Sequence, residues 1–178
     1  MNISALESFL TKDNINLHLE YLKTQRLKYS IIEKSIPAIK GKSFADVLKM
    51  RLSKSLENEI LPLIISIKSH EIYFSSFSSE QKTYPFPRCE FSSDPAFRYS
   101  MLEKAKASNA KFLYAFNDRG ILKFAFDSEA PLSVLLSSSA LAIDLCEHAY
   151  FLDYRFEREA YLRSAVRALN IPSLANGS

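Results

Sequence analysis

The chain carries three histidines, His18, His70 and His148, and two cysteines, Cys89 and Cys146. With so few imidazoles, each one is a candidate for chemistry. The stretch "IDLCEHAYFLDYR" (143–155) sets Asp144, Glu147 and His148 among apolar neighbours. Charged groups in such a setting need a partner, a hydrogen bond or a metal ion. Asp144 and His148 stand at positions i and i+4, which share a face on a continuous helix. That pair describes an ordinary salt bridge or cap as readily as part of a metal site. A lone histidine on a helix is more often a surface or hydrogen-bonded core residue than a ligand. Taken one at a time, the residues leave these readings open.

The elements that must position these groups change character along the chain. The first 80 residues read as helices. Ser4 or Thr11 can cap a start, and Leu17, Leu22, Tyr29 and Ile32 recur at roughly helical spacing up to Pro37. A second helical segment spans 43–77, with Phe44, Val47, Leu48, Leu52 and Leu56 on one face and a kink or restart expected at Pro62. Pro85, Pro87 and Pro95 sit among serines between 78 and 97, which reads as a linker. A short helix is expected at 95–108, and two β-rich runs around "NDRG" (111–128) read as a hairpin. "SALAIDL" (139–145) is a third strand candidate, and 147–169 reads as helical. The fold class is therefore α+β: an N-terminal helical hairpin (1–80) and a C-terminal α/β part (90–178) with a three-stranded antiparallel sheet.

Composition narrows the function classes. A chain of 178 residues with 47% hydrophobic and 24% charged residues is globular. Its net charge of +3 falls well short of a nucleic-acid-binding signature. The N-terminus carries charges before any long apolar run, and "ILPLIISI" (60–67) is too short to span a bilayer. Two cysteines make no disulfide framework. We expect a soluble cytoplasmic protein without a nucleic-acid or membrane partner.

"IDLCEHAYFLDYRFEREAYL" (143–162) resembles the signature of the iron/manganese superoxide dismutase family, Asp-x-Trp-Glu-His-Ala-Tyr-Tyr followed by Asp-Tyr-Arg-x-x-Arg-Pro-x-Tyr-Leu. Asp144, Glu147, His148, Ala149, Tyr150, Asp153, Tyr154, Arg155, Arg158, Tyr161 and Leu162 match it. "TKDNINLH" (11–18) is similar to the first-helix segment that ends in a histidine ligand. "SHEIYFSSF" (69–77) is similar to the Asn-His-x-x-Phe-Trp segment that carries the second. The resemblance implies one iron or manganese ion per chain, held by His18, His70, Asp144 and His148 between the two parts and bridging them. It implies superoxide as substrate, disproportionated to dioxygen and hydrogen peroxide in an antioxidant role. It also implies a homodimer in which Glu147 accepts a hydrogen bond from the partner's metal-bound histidine, with Leu22 and Phe151 making part of the contact apolar.

Other family positions are altered. Arg26 stands where the family has a proton-relaying tyrosine, Leu22 where it has a second histidine, and Phe151 where it has the tyrosine meeting that histidine across the dimer. The second-layer glutamine is replaced by Ser66 in one register and by Ser128 or Glu129 in the other. Without tryptophan, the aromatic cage is rebuilt from Phe74, Cys146 and Phe112 or Tyr114. Arg26 reads as a surface cation or as an attractor of superoxide. Zinc bound by thiolates is a competitor, opposed by Cys89 lying in the linker and by Cys146 pointing away from Asp144 and His148 if local alternation holds. Three function classes follow: an atypical dismutase, a metal-binding relative with other redox chemistry, and a non-catalytic structural or interaction module.

Overall fold

A computed structural model describes residues 3–78, 86–137 and 139–176. Residues 79–85 of the proline-rich stretch read as a linker, Pro85 included, lie outside them. In chain order the elements are α1 (Ile3–Leu6), α2 (Lys12–Ser35), α3 (Phe44–Lys49), α4 (Lys54–Ser75), α5 (Asp94–Lys106), β1 (Phe112–Asp118), β2 (Ile121–Phe126), α6 (Leu132–Leu136), β3 (Leu141–Asp144), a 3₁₀ turn (Glu147–Ala149), α7 (Phe151–Tyr154), α8 (Arg158–Ala168) and a closing 3₁₀ segment (Ile171–Asn176). None of the described helices is long and apolar enough to cross a membrane.

The N-terminal region is a hairpin of two long helices, α2 and α4, packed on each other. Thr11 starts α2 by accepting a hydrogen bond from the Asn14 backbone N–H. Ile15, His18, Leu22, Gln25 and Tyr29, spaced alternately three and four apart, form its buried face. The second helical segment breaks at Met50–Ser53, not at the expected Pro62. Ser53 caps α4, which runs through Pro62 without interruption. The carbonyl that loses its intrahelical donor belongs to Asn58, and both residues are on the exposed side where water can serve it.

The C-terminal sheet is antiparallel in the order β2-β1-β3. Arg119 and Gly120 both have positive φ, the signature of a two-residue primed turn, and close the β1–β2 hairpin. β1 pairs with β3 so that Phe112 opposes Asp144. The stretch expected to be helical over 147–169 is three pieces instead. Arg155, at φ 52° and ψ −116°, takes the chain out of helical geometry between α7 and α8.

The buried apolar residues form one cluster drawn from both parts of the chain. Hydrogen bonds reinforce it where the parts meet. Asn14, itself buried, donates to the Ala149 carbonyl (2.6 Å) and accepts from the Leu152 N–H (3.2 Å). Thr11 donates through both backbone N–H and hydroxyl to the Asp153 carboxylate, at 2.7 and 2.6 Å. Ser76 accepts from the Ala142 N–H (2.7 Å), joining α4 to β3. These contacts join the two parts through residues outside the group of candidate ligands. Asn14→Ala leaves a buried carbonyl and a backbone N–H unpaired, so it should lower the unfolding free energy by about 2–3 kcal/mol in urea titration. A change below about 0.5 kcal/mol would contradict this account of the junction.

Candidate metal centre

Four elements bring the chain's three imidazoles and one carboxylate to a single point. His18 comes from the buried face of α2 and His70 from that of α4, which also carries Ile60, Ile64, Ile67 and Phe74. Asp144 ends β3, whose four residues are all buried. His148 lies on the 3₁₀ turn that follows. The i, i+4 pair is thus not helical: the chain leaves the strand, turns at Leu145–Cys146, and the 3₁₀ turn brings His148 back over Asp144. The Cys146 N–H donates to Asp144 Oδ1 (2.8 Å), which shapes that turn and leaves Oδ2 for the cluster.

Asp144 Oδ2 lies 3.1 Å from His18 Nε2, 3.3 Å from His70 Nε2 and 3.0 Å from His148 Nε2. His70 Nε2 and His148 Nε2 are 3.2 Å apart. One potential ligand atom from each of the four residues lies within 4.8 Å of all the others, so the group could hold a metal ion. His18, His70 and Asp144 are at most 1% exposed, while the His148 side chain is 25% exposed. The cluster is dry on three sides and open on the fourth.

Charge distribution favours a cation at its centre. Burial pushes the Asp144 carboxyl up, but its contacts with His148, His18 and His70 outweigh this and hold it well below the usual carboxylate range. Burial lowers His18, and Asp144 offsets only part of that effect. His70 Nδ1 lies 2.6 Å from the Ser66 carbonyl, an acceptor only, so Nδ1 carries the proton. Its Nε2 is then the nitrogen that faces Asp144 Oδ2 and His148 Nε2. Among the described residues, buried His18 Nδ1 has no hydrogen-bond partner, so its hydrogen-bonding capacity is also concentrated on the inward Nε2. Several lone pairs facing an ionised carboxylate repel unless a cation or proton lies between them. Three imidazole nitrogens and one carboxylate oxygen suit a first-row transition-metal ion.

The surroundings are aromatic. Phe74 and Tyr73 flank His18 at ring-centroid distances of 4.9 and 4.8 Å, and Phe112 meets His70 at 5.2 Å. Tyr114 stacks on Phe112 and shares a 2.6 Å hydrogen bond with Ser69. Tyr21, not singled out by the sequence reading, stacks on His148 at 4.1 Å. Its position three residues after His18 on a helix places it on the same side, the one signal that could have found it. Tyr161 donates from its hydroxyl to the Asp144 carbonyl (2.8 Å).

The remaining sequence expectations divide. Arg26 is on the surface, paired with Glu71 at 3.0 Å, and takes no part in the cluster. Glu147 is exposed on the 3₁₀ turn. Leu22 is core, 2% exposed, so it offers nothing to a dimer surface. Cys146 does not point away from Asp144: its thiol interacts with that carboxylate, and burial first, then Asp144, pushes it up to about 12. It is nonetheless absent from the ligand group, as is Cys89. Imidazole ¹⁵N NMR of the metal-free protein should show His70 protonated at Nδ1. An Nε2–H tautomer would contradict the Ser66 contact.

Residues 90–176 match the family described as iron/manganese superoxide dismutases, C-terminal domain. No curated protein shows significant similarity to the chain. The matched span holds the whole sheet, Asp144, His148 and α8, while His18 and His70 reach the same point from helices outside it. Residues 90–176 thus belong to the iron/manganese superoxide dismutase family as its C-terminal domain.

Proposed function

We propose that the protein is a superoxide dismutase-type metalloprotein, with one iron or manganese ion per chain held by His18, His70, Asp144 and His148. The carrying observation is the approach of three Nε2 atoms to one buried carboxylate oxygen. On this reading residues 1–80 and 90–178 are two parts, with the centre between them. A bound ion would supply the one-electron acceptor and donor that convert two superoxide anions and two protons to dioxygen and hydrogen peroxide.

The chain's own residues have separable tasks. Asp144 contributes the anionic ligand that a trivalent state favours, and Ser66 orients His70 through its carbonyl. Tyr73, Phe74 and Phe112 exclude water from the buried side. Small anions and protons then arrive past His148, the partly exposed edge. Exposed Glu147 beside His148 supports a homodimer in which each Glu147 meets the partner's His148. We place the protein in the cytoplasm.

One observation favours a second reading. Arg26 is engaged with Glu71 at the surface, and the helical position four before His70 is a serine. The side chains that in the family relay protons and tune the potential are therefore absent from those positions. A metal-binding relative performing other redox chemistry fits that pattern.

Protein expressed with both metals supplied should carry one iron or manganese ion per chain by elemental analysis and disproportionate superoxide. Asp144→Ala should lose the metal and melt at lower temperature. Metal without dismutation would favour the second reading. A wild-type protein with neither metal, and an Asp144→Ala variant melting at the same temperature, would leave a structural or interaction module. Sedimentation at micromolar concentration should show a dimer, and a clean monomer unchanged by metal would contradict the Glu147 contact.

A further inference from the structure

We propose that Tyr21 is a positioning residue: its ring, stacked on His148, fixes the one loosely held ligand and covers the open side of the cluster. This rests on the metal-binding reading above.

The four ligands are not held equally. His18 is fully buried in the middle of a long helix, and His70 is oriented by the Ser66 carbonyl. Asp144 has one oxygen tied to the Cys146 N–H. His148 has no such support. It sits on a three-residue 3₁₀ turn, and among the described residues its hydrogen bonds all involve Nε2, inside the cluster. Beyond those Nε2 contacts, its ring is restrained by what lies against its faces.

Tyr21 lies against one of them. The two rings are 4.1 Å apart at 20°, a parallel stack, and the same phenol ring lies 5.3 Å from His70. Tyr21 therefore spans from α2 to α4 across the cluster's accessible edge. It is 37% exposed, and it covers one face of a His148 ring that is itself 25% exposed. A flat ring on an imidazole restricts tilt without competing for its nitrogens, and a group that orients a ligand slows metal loss.

Ring and hydroxyl can be tested apart. The full chain, stripped with chelator and reloaded with Mn(II), is compared as wild type, Tyr21→Phe and Tyr21→Leu. The readouts are the rate of Mn(II) loss to excess EDTA and the EPR spectrum of the bound ion. Tyr21→Phe keeps the stack and should match wild type in both. Tyr21→Leu should lose Mn(II) about tenfold faster and broaden the EPR lines as His148 samples several orientations. In the metal-free protein, Tyr21→Leu should shift the His148 imidazole resonances and leave those of His18 in place. If Tyr21→Leu proves unstable, Tyr21→Trp provides another flat ring and should retain slow loss. Tyr21→Leu equal to wild type in rate and spectrum overturns the inference, as does Tyr21→Phe behaving like Tyr21→Leu. Wild-type protein that takes up neither Mn(II) nor Fe(II) overturns the metal reading itself, and this inference with it; protein that takes up Fe(II) alone is compared by the rate of Fe(II) loss, with the same outcomes.

Discussion

A carboxylate with no solvent exposure, approached by three imidazole nitrogens through one of its oxygens, is the constraint around which this molecule is arranged. Burying Asp144 is costly, and its contacts with the three imidazoles outweigh that cost, while His70 turns its protonated nitrogen outward to Ser66. The lone pairs left facing inward call for positive charge. The surrounding aromatic rings raise the stakes by keeping the local dielectric low.

That cluster can be so demanding because the scaffold is secured elsewhere. The halves meet through a shared apolar core and through polar contacts at Asn14, Thr11 and Ser76 that involve no ligand. At the far end, Arg98 donates to the Val166 and Leu169 carbonyls and so caps the C-terminus of α8. The ligand geometry is thus set by the packing of α2, α4 and β3. This division also explains why the outer positions of the family pattern could change. Arg26 and Leu22 lie on the same helix as His18, yet one is a surface ion pair and the other core.

Much of this was legible in the sequence. The two long helices, the hairpin around Gly120 and the strand ending at Asp144 each follow from local periodicity and turn chemistry. The four candidate ligands came from a resemblance, since Asp144 and His148 by spacing alone are an ordinary pair. What was hidden depends on geometry that spacing does not encode. The Asp144–His148 approach arises from a strand and a 3₁₀ turn, not from a helix. A kink or restart was expected at Pro62, yet α4 absorbs the proline because the affected carbonyl is on the exposed side. A positive φ at Arg155, which no glycine announces, divides the last helical region. Tyr21 was passed over because its role exists only once α2 lies beside the 3₁₀ turn.

Reduced to chemistry, the account claims that the ion is bound by nitrogen and oxygen from these four side chains, with no sulfur. X-ray absorption at the iron or manganese edge of the loaded protein tests this most directly. The account predicts a shell of nitrogen and oxygen scatterers with the multiple-scattering pattern of three imidazoles, which falls to two in His148→Ala. A sulfur shell, or a spectrum without imidazole scattering, would contradict it.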